Sequence, residues 1–397
     1  MRSRSFVLLL SFSLVRCSQG PSNPDVASPD AASDVASDTV IADTVSVGDS
    51  SATDAESEAS AGDASAGSDA DAAPMVAPIT GPDEEWTFVP IEGMRCGNGS
   101  ATGVGVNLTR RSSKVLVIFA GGGACWDGVT CFTLRTAANV DGYNAASFAA
   151  ERSGLAGSPV LNRADASNPF RDASFVYVPY CTGDLHSGRA VQRYDVSGMQ
   201  REMQHVGAAN IDALLPRLRA TVPSPEHVWL YGMSAGGYGV VFNWWRFKRD
   251  FAGVAVDAAS DCGVAVTPGN GRYAQWLTAW QTEIPAGCAD CATSMTSVLT
   301  GQLARFRGDR FAQMAYTNDM VLSTYYGVSG AEFATLVRAL DTRLAMESNA
   351  RTFIVTGTNH VMAGGYATIR SSDGTALSAW LGQWATGAMG WVSKTPY

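Results

Sequence analysis

The stretch from Val228 to Val240, VWLYGMSAGGYGV, leaves this chain few ways to fold. Val228, Trp229, Leu230 and Tyr231 make an apolar run of buried-strand length, and a helical pattern follows from Gly237 to Phe251. Between them sits Gly232-Met233-Ser234-Ala235-Gly236, a G-x-S-x-G pentapeptide. In the order strand, pentapeptide, helix it means a nucleophile elbow. A serine on so sharp a turn is held in a strained backbone conformation, and small residues two positions to either side let strand and helix approach closely. The turn lifts the Ser234 hydroxyl clear of the sheet edge, and the helix behind it offers free N–H groups and partial positive charge. In a chain with 41 glycines the pentapeptide alone is weak; its flanks carry the reading.

Further strand-like runs are expected at Val115–Phe119, Phe175–Pro179, Val254–Val256, Phe311–Tyr316 and Thr352–Val355. Amphipathic helical stretches lie between them, among them Met199–Leu218 and Ala331–Met346. Near-continuous apolar strands alternating with helices predict an α/β fold with a mostly parallel central sheet and helices on both faces. No internal repeat is present.

The N-terminal fifth is of a different kind. Arg2 and Arg4 precede an apolar run, Phe6–Val15, so residues 1–17 read as an export signal. Leu14-Val15-Arg16-Cys17 resembles a bacterial lipoprotein cleavage site, which makes Cys17 a lipidation candidate and a point of membrane attachment. Residues 18–82 are rich in Ala, Ser and Asp, and from Ser18 to Met94 there are 16 acidic residues and no Lys or Arg. Such a segment cannot bury enough apolar area to offset its ordering entropy, so a disordered acidic tether is expected. Of 28 basic and 37 acidic residues, 25 and 21 lie from Arg95 onward, so the net charge of −9 hides a catalytic region of about +4. Residues 83–397 are enough for one large catalytic domain, with no further apolar run long enough to span a membrane.

Eight cysteines in an exported chain imply disulfides. Cys125 is placed to staple to Cys131, Cys96 to reach Cys181, and Cys262 to reach Cys288 or Cys291, with one thiol left over. A structural zinc at Cys288-Ala-Asp-Cys291 would need two more ligands that the sequence does not offer, so no metal and no cofactor is expected.

A serine nucleophile needs a base, an orienting acid and an oxyanion hole. In an α/β-hydrolase-like fold these follow in the order Ser, acid, His. Of four histidines, His227 opens the elbow strand at the wrong end, His205 falls mid-helix in a structural position, and His186 lies in a loop where it can line a pocket. His360, in the loop after Thr352–Val355, is the expected base. Asp319, after Phe311–Tyr316, is the expected acid; Asp257 and Asp261 are its rivals, one strand earlier. Ala120-Gly121-Gly122-Gly123-Ala124 follows Val115–Phe119 directly, where an esterase oxyanion loop sits. No Walker lysine and no dinucleotide pattern accompanies it, and no nucleic-acid partner is expected.

Together FAGGGACWDGVTC (Phe119–Cys131), NPFRDASFVYVPYCTGDLHSG (Asn168–Gly188), YGMSAGGYGV (Tyr231–Val240), TNDM (Thr317–Met320) and TNHV (Thr358–Val361) resemble the pectin acetylesterase family, the pectinacetylesterase/Notum group. The resemblance implies a triad of Ser234, Asp319 and His360, oxyanion donors at Gly122, Gly123 and Ala235, and disulfides Cys96–Cys181 and Cys125–Cys131. Trp126, Asp184 and His186 are the candidates for the substrate pocket. The chain departs from the family pattern at Ala120 and Ala124 and around His186, so acyl-length preference does not carry over. It implies a secreted serine ester hydrolase acting on an acylated carbohydrate such as pectin. A lipid or protein deacylase is the alternative, and a non-catalytic surface binding module on the same fold is the reading from a different class.

Overall fold

The computed structural model describes residues 76–397; the leader at 1–17, the candidate Cys17 and all but the last seven residues of the acidic stretch lie outside the described residues. Packing begins earlier than the composition change suggests. Ile79 is buried and its amide donates to the Thr221 hydroxyl at 2.7 Å, so the stretch joins the domain before Pro82.

Among the described residues there are ten strands: β1 (Thr87–Arg95), β2 (Ala101–Asn107), β3 (Val115–Phe119), β4 (Ser174–Val178), β5 (Ala190–Val196), β6 (Met199–His205), β7 (Val228–Met233), β8 (Val256–Asp261), β9 (Phe311–Tyr316) and β10 (Ala350–Val355). The helices are α1 (Ala145–Gly157), α2 (Gly207–Thr221), α3 (Ala235–Asp250), α4 (Arg272–Trp280), α5 (Met295–Arg305), α6 (Met320–Tyr326), α7 (Gly330–Leu344) and α8 (Leu377–Thr386). Among the described residues no helix is long and apolar enough to cross a membrane.

Eight strands form one sheet in the order β1-β2-β4-β3-β7-β8-β9-β10. β4, β3, β7, β8, β9 and β10 run parallel across it, the β1–β2 hairpin adds an antiparallel edge, and β5 and β6 form a separate antiparallel pair. Every residue of β3, β4, β8 and β9 is buried. Because successive side chains point to opposite faces, full burial means both faces are covered. The helix behind the elbow is tied in by Trp244, fully buried, whose indole N–H donates to the Val256 carbonyl at 2.7 Å.

Register brings the chemistry to one edge. Phe119 pairs with Gly232, Met233 with Asp261, and Val355 with Tyr316, so these strands end side by side. The loops that leave them carry the glycine run, Ser234, Asp319 and His360.

Two expected elements differ. Met199–His205 is strand rather than helix, paired with β5 across the two-residue turn Ser197-Gly198. Both turn residues have positive φ, 56° and 84°, the conformation that suits the twist of a tight hairpin. His205 therefore sits on a strand. The strand expected at Val254–Val256 runs instead from Val256 to Asp261, because Asp257, Ser260 and Asp261 hide it from an apolar pattern.

Among the described residues the disulfides are Cys96–Cys181, Cys125–Cys131 and Cys288–Cys291. The expectation that Cys262 pairs with Cys288 or Cys291 is corrected: Cys262 is a free, fully buried thiol at the end of β8. Cys288 and Cys291, three residues apart, bond to each other and so are not metal ligands.

Candidate active site

Ser234 is the N-cap residue of α3 and has φ 54° and ψ −120°. A non-glycine residue there stores about 1–3 kcal/mol of strain, which the surrounding structure must offset. Two contacts explain the flanking glycines. A Cβ on Gly232 would lie 2.0 Å from the Gly236 carbonyl oxygen, and one on Gly236 would lie 2.0 Å from that of Phe119. The Ser234 amide donates to the Asp261 carbonyl at 2.8 Å, which ties the turn to β8.

His360 lies 2.7 Å from Ser234, Nε2 to Oγ, and its Nδ1 lies 2.7 Å from Asp319 Oδ2. Asp319 is 1% exposed, and His360 and Ser234 are half-buried. The Asp319 carboxylate can only accept, so Nδ1 carries the proton and Nε2 is left to accept from the serine hydroxyl. The other oxygen of Asp319 caps α6, accepting from Leu322 N at 3.0 Å. The loops after β9 and β10 are joined by Asn318 N to Gly357 O at 2.9 Å and Met320 N to Thr358 O at 3.1 Å. Asp319 and His360 therefore sit on one hydrogen-bonded unit.

Neither rival aspartate touches His360. Asp257, at the start of β8, pairs with Arg310 at 2.7 Å and accepts from His227 Nε2 at 3.1 Å, at the far end of the sheet. Asp261 is fully buried and accepts from the amides of Met362 and Ala363, both at 2.8 Å, and from the Tyr231 hydroxyl at 3.0 Å. Burial pushes its carboxyl above the usual range despite those donors. It braces the segment after His360, a role the sequence did not suggest. The Cys262 sulfur lies within 4.8 Å of ligand atoms of Asp319 and His360, under the pair, and burial raises its thiol well above the ordinary value.

The glycine loop faces the serine. Among the described residues the amides of Gly122 and Gly123 donate to no protein acceptor, and Ala235 N is in the first turn of α3, where the helix leaves N–H groups unpaired. The loop is held from outside: the Gly122 carbonyl accepts from Ala138 N at 2.8 Å, and Ala124 N lies 3.4 Å from the Tyr325 hydroxyl. A small cavity opens beside Ser234, walled by Gly123, Ala235, Trp276, Leu322, Tyr325 and Tyr326. The tyrosines follow Asp319 by six and seven positions on α6; that adjacency was the signal available in the sequence.

The pocket candidates fare differently. Asp184 is fully buried, and its oxygens are taken by Thr182 Oγ1, His186 N, Gly188 N and Gly207 N at 2.6–3.1 Å. His186 is also buried, donating from Nε2 to the Ala120 carbonyl at 2.9 Å, and burial lowers its pKa. Neither lines the cavity; His186 supports the start of the glycine loop through Ala120, and Asp184 holds the turn that carries His186. Leu185 between them does line the cavity. Trp126 lies tilted against Trp276, 5.7 Å between centroids, and lines a separate shallow groove with Tyr194 and Gln192. His205 donates from Nδ1 to the Thr182 carbonyl at 2.9 Å and accepts from the Tyr194 hydroxyl at 3.0 Å, a structural arrangement.

Residues 84–279 match a protein family described as pectinacetylesterase. The matched region holds the glycine loop and Ser234, and ends before Asp319 and His360. The chain is 31% identical over 159 residues to a protein named palmitoleoyl-protein carboxylesterase NOTUM from Schmidtea mediterranea, covering 39% of this chain and 29% of that one. It is 28% identical over 217 residues to a protein of the same name from Drosophila melanogaster, covering 49% and 31%. The matched stretches thus span under a third of the length of either relative.

Proposed function

From the match of residues 84–279 to the pectinacetylesterase family, we propose that the chain is a member of that family and an exported serine carboxylic-ester hydrolase that removes acetyl groups from a polysaccharide such as pectin. The observation that carries the reading is the unbroken hydrogen-bonded line Ser234–His360–Asp319, two links of 2.7 Å, ending beside a cavity. In this reading Ser234 Oγ attacks the ester carbonyl while His360 Nε2 takes its proton. The negative charge that develops on the carbonyl oxygen is met by the amides of Gly122, Gly123 and Ala235. His360 returns the proton to the departing sugar hydroxyl, leaving an acyl-enzyme on Ser234. A water, activated by the same histidine, then releases acetate. Asp319 holds the tautomer and stabilises the imidazolium.

Three disulfides support an oxidising, exported location. The mildly basic balance from Arg95 onward suits an anionic polymer such as an acidic polysaccharide. The alternative is a deacylase of lipids or proteins, favoured by the name that the two relatives carry. The test is hydrolysis of p-nitrophenyl acetate and of acetylated pectin. Ser234→Ala is expected to lower kcat by 10⁴-fold or more on both. Wild-type turnover in that variant would refute the elbow as the reacting centre.

A further inference from the structure

The cavity beside Ser234 has a volume of about 20 Å³. On that scale a single water occupies ~10–15 Å³, so the space holds the methyl group of an acetyl ester and little more. Tyr325 is one of the side chains that wall it. Tyr325 projects from α6 toward the glycine loop, where its hydroxyl donates to the Thr136 carbonyl and approaches Ala124 N at 3.4 Å. Its oxygen lies only 2.2 Å from where a Cβ on Gly123 would stand, so ring and loop are in direct contact. Burial raises the pKa of this phenol, which keeps it protonated and able to donate.

The wall behind is equally fixed. The Tyr326 hydroxyl sits 3.1 and 2.9 Å from the carbonyls of Val264 and Val266 and 3.0 Å from the Tyr238 hydroxyl. Moving it aside would break buried hydrogen bonds, and an unpaired buried polar group is costly. The pocket cannot lengthen in that direction.

We propose that Tyr325, pinned across the cavity between α6 and the glycine loop, is the residue that sets acyl length and confines this protein to two-carbon acyl esters. The proposal rests on the reading of Ser234 as the nucleophile. It assigns the phenol ring the role of a plug, and its hydroxyl that of a latch on the loop beside Gly122 and Gly123. In a fitted apolar pocket one surplus methylene costs about 10–200-fold in kcat/KM, so two or more cannot be tolerated here.

The test is kcat/KM for p-nitrophenyl acetate, butyrate and octanoate with the full chain. Wild type is expected to prefer acetate over octanoate by 100-fold or more. Tyr325→Val, which removes the plug, is expected to cut that ratio at least 100-fold, with octanoate hydrolysis rising in absolute terms, a gain that a damaged fold cannot give. Tyr325→Phe keeps the ring and loses the latch, so the ratio is expected to stay within several-fold of wild type while kcat falls on every ester. Wild-type hydrolysis of octanoate within tenfold of acetate overturns the proposal, even if no variant folds. So does a folded Tyr325→Val, or Tyr325→Leu in its place, that keeps the wild-type ratio. An inactive Ser234→Ala beside such a flat profile rejects the plug alone, whereas an active Ser234→Ala rejects the underlying reading.

Discussion

At the scale of single residues, the two buried aspartates near His360 differ in what they hold. Asp319 receives the imidazole N–H directly, whereas Asp261 holds the Met362 and Ala363 amides that follow it. Replacing the first changes the tautomer available to Ser234; replacing the second loosens the loop that delivers the ring. Asp319→Asn is therefore expected to lower kcat by ~10⁴-fold, the size of the same substitution in a serine protease triad. Asp261→Asn is expected to cost only ~10–100-fold in kcat with KM nearly unchanged, since Tyr231 and one amide still have an acceptor. Steady-state kinetics on p-nitrophenyl acetate separate the two; equal losses would mean that Asp261 takes part in the proton relay. The contact of Asp319 with His360 was legible in the sequence for topological reasons, because the two residues follow neighbouring strands. The misassignment of Asp184 and His186 is equally instructive. A polar residue in a loop after a core strand reads as a pocket residue, yet here four donors are supplied to Asp184 from its own turn and from the start of α2.

Elements were legible where one side-chain pattern dominated. β3, β7 and β9 are uncharged and largely apolar, with Gln313 the one amide side chain among them, and each was read to within one or two residues of its observed limits. The β5–β6 hairpin was missed because its strands are half-exposed and carry charged residues, so neither a buried run nor clean alternation stands out. Its only local signal is the turn, and Ser197-Gly198 is a weaker marker than Asn-Gly. Ser197 holds φ 56°, a conformation that asparagine adopts more readily than serine. Ser197→Asn is accordingly expected to stabilise the protein by about 0.5 kcal/mol without altering kcat. A thermal melt checks this, and a lowered midpoint would show that the serine side chain has a partner worth more than the turn preference.

For the molecule as a whole, pH acts through groups that the chemistry does not use. Burial depresses the pKa of His186 and His205 below 6.5, so the folded protein keeps both neutral while the unfolded chain gains protons as pH falls through that value. Stability is present above about 6.5 and is lost on acidification below it, by up to ~1.4 kcal/mol per histidine for each pH unit down to the folded-state pKa. Calorimetry is expected to show a falling midpoint between pH 7 and pH 5, and a shallower fall in the His205→Gln variant; parallel slopes would exclude His205 as a source. A last consequence concerns handling. Ile79, Thr80 and Gly81 share a groove with Ser112, Ser174 and Pro223, residues that lie before or at the starts of β3, β4 and β7, whereas Ser234 and its partners follow the strand ends. Five-residue strands put the two rims roughly 17 Å apart. Grafted to a bead through Val76→Cys, the domain should turn its mouth outward and still work along a bulky polymer. Grafted through Met320→Cys, beside Asp319, it should lose the polymer yet go on cleaving p-nitrophenyl acetate; equal polymer rates from both beads would mean that the mouth does not face as the sheet directs it.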